Sequence, residues 1–246
     1  MRHFLLFGLL MASTVAAAQS NEEFMNQTTR DKLNYTNVTS SITSSLFTIK
    51  GPAGKLLGDP YLDTTWQTGT VKFYNRIGTS LTTDSLSNIP VRIDLNANEV
   101  EVRAGAKDIR VVNVTAVLYV DIHTSNGKSR FMNVHEYQVE GNNLTGFFEQ
   151  TATGKLQLLL HPSIYLRRAN YNVAMNTGSK DDELLKKFDW YVAQGKQAKK
   201  FSPGKKALLE LMADKKEPVE AYLKNEKPDL KTRSGLVSVF SYYNSL

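Results

Sequence analysis

The side chains able to do chemistry in this chain are few, and their spacing limits what that chemistry could be. Four histidines are present and no cysteine. There is no H-E-x-x-H motif and no close cluster of histidines and carboxylates, so neither a metal nor a cofactor is expected. Two S-x-x-K matches, Ser125 to Lys128 and Ser202 to Lys205, have the spacing of an acyl-transfer serine. Such a serine must open a helix, which Ser125 in a turn does not, and no S-D-N or K-T-G partner accompanies Ser202. Ser202 followed by Pro203 reads as a plain helix cap. No G-x-S-x-G elbow, Walker loop or G-x-G-x-x-G fingerprint occurs. Carboxylate pairs exist (Asp181 with Asp182, Glu99 with Glu101), but only a fold can set two of them across a substrate. The sequence therefore names no catalytic residue.

One run of charge stands out. Lys196, Lys199, Lys200, Lys205 and Lys206, interrupted by Phe201, make up a stretch with no acidic residue. As a patch it would meet an anionic glycan, a lipid headgroup or another envelope protein; as a bland feature it is a solvated hairpin and helix start.

Residues 1–18 have the form of a secretory signal. Arg2 and His3 lead an apolar stretch from Phe4 to Met11, and Ala16-Ala17-Ala18 supplies a small-residue cleavage site. The apolar stretch is too short to span a bilayer, and no later run of about 20 apolar residues follows. Without cysteine there is no lipoprotein anchor and no disulfide staple, but the remaining length suffices for a core. The expectation is an exported protein with no transmembrane span, in the periplasm or peripheral at the outer membrane, for which nucleic acid is not a partner.

The elements that would position any site are mostly strands. Val112, Val114, Ala116, Leu118, Val120 and Ile122 alternate with more polar neighbours, which predicts one strand with these six on a single buried face. An Asn126-Gly127 turn then predicts a hairpin in which His123 faces Arg130 and His135 faces Leu118. Phe147 to Gln150 pairs with Leu156 to Leu160, and Ile89 to Leu95 with Val100 to Arg103. Trp190 to Val192 returns through Gln194-Gly195-Lys196 to Ala198–Phe201. Helices follow from Ser202, from Pro218 and through Leu236 to Tyr243, each with an apolar stripe. The fold class is thus α+β, mainly β: an antiparallel β-meander (curved sheet, open barrel or sandwich) with a small C-terminal helical segment. The organisation reads as a leader over 1–18, a polar segment over 19–50, and a β domain over 51–168. A linker over 169–182 then leads to a hairpin plus short helices over 183–246 that pack on the β domain. The polar segment is rich in Asn, Ser and Thr. The N-x-[ST] triplets at Asn26, Asn34, Asn37, Asn113 and Asn143 are what such a composition yields by chance.

Several short motifs carry a resemblance. Gly58-Asp59-Pro60-Tyr61-Leu62, Trp66-Gln67-Thr68-Gly69-Thr70-Val71, Val91-Arg92-Ile93-Asp94-Leu95, Gly146-Phe147-Phe148-Glu149, Gly154-Lys155-Leu156-Gln157-Leu158-Leu159 and Tyr242-Tyr243-Asn244 occur in that order. The chain from Gly51 to Leu246 resembles a group of exported Bacteroidetes proteins to which no activity is attached. The resemblance implies an envelope location. It also makes Thr64, in Asp63-Thr64-Thr65, and Ser85, in Asp84-Ser85-Leu86, similar to the short triplets that such bacteria O-glycosylate.

Two functions of different class follow. The first is a non-enzymatic envelope protein presenting a binding or scaffold surface. The second is a glycan-processing or other hydrolase whose carboxylates converge only in the fold.

Overall fold

The structure, a computed structural model, describes residues 54–75, 83–124, 127–141, 143–172 and 175–246. The expected leader, the polar segment with its Asn26, Asn34 and Asn37 triplets, and the Ser125-Asn126 turn lie outside the described residues.

One open sheet organises what is described. Its strands are β1 (Leu56–Leu57), β2 (Gln67–Phe73), β3 (Ser85–Asp94), β4 (Glu99–Arg103), β5 (Ile109–Asn113) and β6 (Val117–Thr124), then β7 (Gly127–Asn133), β8 (Gln138–Val139), β9 (Phe147–Ala152), β10 (Gln157–Arg167), β11 (Asp182–Gln194) and β12 (Gln197–Lys200). The order is β5-β4-β3-β2-β6-β7-β9-β10-β11-β12-β8, with β1 beside β11. Every pairing is antiparallel except β8–β12 and β1–β11. Helices α1 (Lys205–Leu211), α2 (Lys216–Glu226) and α3 (Arg233–Ser245) form the tail. The α+β, mainly β class holds, and the three expected hairpins β3–β4, β9–β10 and β11–β12 are present.

The first half of the sheet must curl. β5 and β6 lie four strand positions apart, which is about 19 Å in a flat sheet. The three-residue 3₁₀ turn Val114–Ala116 joins them, and so short a link reaches at most about 15 Å even when extended. The sheet therefore bends until the end of β5 meets the start of β6. Val71, Val91, Ile93, Val100, Val102, Val117, Val120 and Phe131 fill the inside of this bend. At Gly69 an added Cβ would lie 2.5 Å from the Asp121 carbonyl oxygen and 2.7 Å from Val91 Cγ2, so the tightest part of the bend admits only glycine.

The second half covers the same face with helices. Leu158 and Val192 from the sheet meet Leu208, Met212, Val219, Leu236, Val239 and Phe240 from the three helices. Its opposite face is closed by the 134–144 segment, with Phe148, Leu159 and Tyr191 against Val134, Tyr137 and Leu144.

Four expectations are corrected. The alternation from Val112 to Ile122 is not one strand. The Asn113 side chain accepts the Thr115 N–H at 3.0 Å, a local bond that competes with the ladder and turns the chain. Val117, not Leu118, then takes the core position, and a bulge at Leu118, opposite Phe73, restores the phase for Val120 and Ile122. In the hairpin, His123 pairs with Lys128 and Asp121 with Arg130, two residues away from the expected register. His135 belongs to a second 3₁₀ turn, capped by Asn133, and not to the strand. The first helix starts at Lys205 behind Gly204, so Ser202 does not cap it. The β11–β12 hairpin lies in the sheet itself, with β11 paired to β10 over eleven residues.

Candidate functional site

The two halves leave a gap between them on the shared face, and β7, β9 and β10 run across it. Glu149 sits in its floor, with Phe131 as cross-strand partner on β7 and Leu160 on β10. Arg233 comes down from the first turn of α3 and donates to both Glu149 oxygens, at 2.7 and 2.6 Å. A cation at a helix N-terminus opposes the helix dipole, so its place there depends on this two-pronged bond. The Glu149 carboxylate holds the Arg233 guanidinium further above its ordinary range, and the hydrogen bonds are the main cause.

The third wall is a strap. Residues 58–66 run from β1, beside β11, to the end of β3. Lys186 on β11 holds Asp59 at 3.1 Å, while Leu62 N–H bonds Ile93 O at 2.9 Å and Leu95 N–H bonds Pro60 O at 2.8 Å. The strap hangs Leu62 and Asp63 over the gap. The resulting cleft measures about 610 Å³. Its polar walls include Gln67, Gln150, Thr124 and Thr151, and Phe188 stands beside them with 49% of its surface exposed.

Two carboxylates line this cleft, and both are engaged. Asp63 accepts from the Thr65 hydroxyl at 2.6 Å, from its N–H at 2.8 Å and from Gln67 Nε2 at 3.4 Å. The Thr65 bonds above all hold its carboxyl below the usual range. Glu149 has both oxygens taken by Arg233. A general acid must keep its proton near neutral pH, which burial without a cation would favour. Neither carboxylate has that setting.

The aromatic side chains differ in availability. Arg92 lies 3.6 Å above the Tyr61 ring and 4.6 Å from Trp66, whose ring also carries Arg103 at 4.2 Å. Arg92 in turn holds Glu101 at 2.6 Å. These faces are occupied by guanidinium groups. Among the described residues no ring or cation stacks on Phe188, which leaves its face to the cleft.

The lysine run divides. β12 alternates its side chains, so Lys199, opposite Val192, and Lys200, opposite Tyr191, leave the sheet on opposite faces. Lys200 pairs with Asp189 at 3.1 Å, Lys205 with Glu220 at 3.5 Å, Lys206 with Glu210 at 3.8 Å, and Lys196 approaches Glu136 at 4.0 Å. The linear cluster becomes several exposed pairs. Thr64 is exposed on the strap, where its carbonyl accepts a 3.4 Å bond from Arg92. Ser85 is half-buried in β3 opposite Lys72. Asp181, Asp182, Glu99 and Glu101 are not brought together across a cavity; Asp182 pairs with Arg168 and Glu101 with Arg92.

No sequence pattern pointed to the Glu149–Arg233 pair, which joins residues 84 positions apart. The sequence also left His161 unremarked. This side chain is buried between Phe148 and Tyr191, with Nε2 donating to Thr145 O at 2.9 Å, which fixes the neutral tautomer. Burial lowers its pKa, and the Thr145 bond only partly offsets this. Among the described residues no group of histidine and acidic side chains could hold a metal ion, and no helix is long and apolar enough to cross a membrane. Comparison with protein-family models, with curated proteins and with solved structures found no significant match for the chain.

Proposed function

We propose that the chain is an exported, non-enzymatic protein of the cell envelope that binds a glycan segment in the cleft between the strap, the sheet and α3. The observation that carries this reading is the contrast inside the cleft: its carboxylates are tied up, while Phe188 is half exposed beside them. A sugar ring offers an apolar C–H face to an aromatic such as Phe188. The polar side chains at the cleft already hold bonds within the protein, Gln67 to Thr65, Gln150 to Tyr137, Thr124 to Gly127 O and Thr151 to Leu158 O, so the aromatic face carries the reading. The nearly balanced charge around the cleft favours an uncharged sugar over a phosphate. The divided lysine run supports an anionic partner less well, because most of its members already have carboxylates.

The location is tested by fractionating cells and treating them with protease before lysis. The reading expects the protein in the soluble periplasmic fraction or on sedimented outer membrane, and recovery from the cytoplasm refutes it. Binding is tested by passing the purified protein over immobilised envelope polysaccharide. Retention that Phe188→Ala abolishes supports the cleft; equal retention of both proteins places binding elsewhere. The hydrolase reading has one observation in its favour, the presence of Asp63 and Glu149 in one cleft. It requires polysaccharide cleavage that Glu149→Gln removes.

A further inference from the structure

The strand order leaves β5 at an end, with no strand beside its outer edge among the described residues. Which of its backbone groups face outward can be worked out. Ala104 N–H bonds Asp108 O at 2.8 Å and Val114 N–H bonds Asn98 O at 3.0 Å. In the β4–β5 register these are two positions of one ladder, so Arg110 and Val112 also bond inward to β4. The N–H and C=O groups of Ile109, Val111 and Asn113 therefore point away from the sheet. The same residues carry an apolar strip: Ile109 is 48% exposed and Val111 52%. Natural edges are usually blunted by proline, an inward-pointing charge or a covering element. β5 has no proline, and its one charged side chain, Arg110, is exposed and paired with Asp108.

We infer that β5 is a self-association edge, and that its occupant is β5 of a second copy of this chain, antiparallel about a two-fold axis at Val111. The phase makes the strand self-complementary. With Val111 opposite its own copy, Ile109 falls opposite Asn113, and all three outward residues meet outward residues, as a hydrogen-bonded ladder requires. Val111 pairs with Val111 on the exposed face, and Arg110 falls opposite Val112, so no like charges stand directly opposed. A shift by one residue would set outward groups against inward ones. Five paired residues bury less than the roughly 1,200–2,000 Å² of a lasting interface, so the dimer is a weak one, populated at high local concentration.

Two substitutions separate pairing from folding. Val111→Pro removes an N–H that faces outward and takes nothing from the β4 ladder, which is where an edge strand tolerates proline. Val111→Lys places two like charges opposite each other in the dimer and only solvates the monomer. Sedimentation velocity over a concentration series should show the parent protein moving from monomer toward dimer. Both variants should weaken that transition by about tenfold or more, a loss of ~1.4 kcal/mol or more, with the thermal midpoint of the dilute monomer unchanged. A parent protein that stays monomeric throughout, or a dimer that both folded variants retain, overturns the assignment.

Discussion

The two halves of the sheet bury the same face by different means. Strands β2 to β7 curl until their own valines cover one another, so the enclosure is built from the strands themselves. Strands β9 to β12 stay broad and are covered by three helices that arrive from the end of the chain. The first is a backbone solution, fixed by short turns and a glycine. The second depends on side-chain docking at a few points, namely Glu149 with Arg233, and Asn244, which bonds Leu156 N–H and C=O at 3.1 and 2.8 Å. The cleft lies where one solution stops and the other begins.

The largest effects should come from the curled half. Val114→Asp or Val117→Asp puts an unpaired charge into a core that cannot move aside, costing more than about 4 kcal/mol. Neither variant should give a cooperative melt. Leu118→Asp should fold with a lowered midpoint because its side chain is only half-buried, and its complete unfolding would mean that the bulge is misplaced. Asn133→Leu comes next. Its Nδ2 donates to Val114 O at 2.8 Å and Val117 O at 2.7 Å, and its Oδ1 accepts the His135 N–H at 2.9 Å. Losing these three bonds, with Val114 O left only its Val117 N–H, should cost about 2–3 kcal/mol by denaturant titration.

In the docked half, Arg233→Ala leaves a buried Glu149 carboxylate without its cation. The expected loss is about 2–3 kcal/mol, below the value for a fully buried pair because Arg233 itself is half exposed. Adding Glu149→Gln should restore most of it. A double variant as unstable as Arg233→Ala would show that the loss does not come from the stranded Glu149 charge.

The halves should also part with pH. His161, in the docked half, has its pKa lowered by burial, so protonation favours the unfolded chain. Its contribution is complete above about pH 6.5, the unfolded value, and falls as the pH drops toward the folded value. In the curled half, burial pushes the Asp121 carboxyl up, but the bonds and charges of Arg130 and Lys128 outweigh it and hold the group below the ordinary range. That contribution persists above about pH 4 and is lost only below it. Hydrogen exchange should thus show β9–β12 loosening between pH 7 and 5 while β2–β7 stay protected, and His161→Phe should remove the difference. The smallest effect belongs to Thr115→Asp, an exposed turn position where the thermal midpoint should barely move.

This contrast explains what the sequence could disclose. Hairpins, mainly-β class and helical tail were legible because alternation and turn residues are local signals. The 3₁₀ breaks at Asn113 and Asn133 were harder to see, since an Asn side chain capturing an N–H two residues on leaves the hydrophobic pattern almost intact. The motifs quoted for the envelope resemblance meet in space at two joints. Tyr61 bridges to Asp94 beside Arg92 and Trp66, and Asn244 clamps the Thr153–Leu156 turn. Their residues hold the fold, which is why no reaction could be read from them. The cleft was illegible because Leu62, Glu149, Phe188 and Arg233 converge only after the strap and α3 have docked.

Calorimetric titration of defined neutral oligosaccharides, with the sugar recovered and weighed by mass spectrometry afterwards, tests the central claim most directly. The account predicts saturable binding, at least about tenfold weaker in Phe188→Ala, and sugar recovered uncleaved. Cleaved sugar, with cleavage lost in Glu149→Gln, or binding indifferent to Phe188, would contradict it.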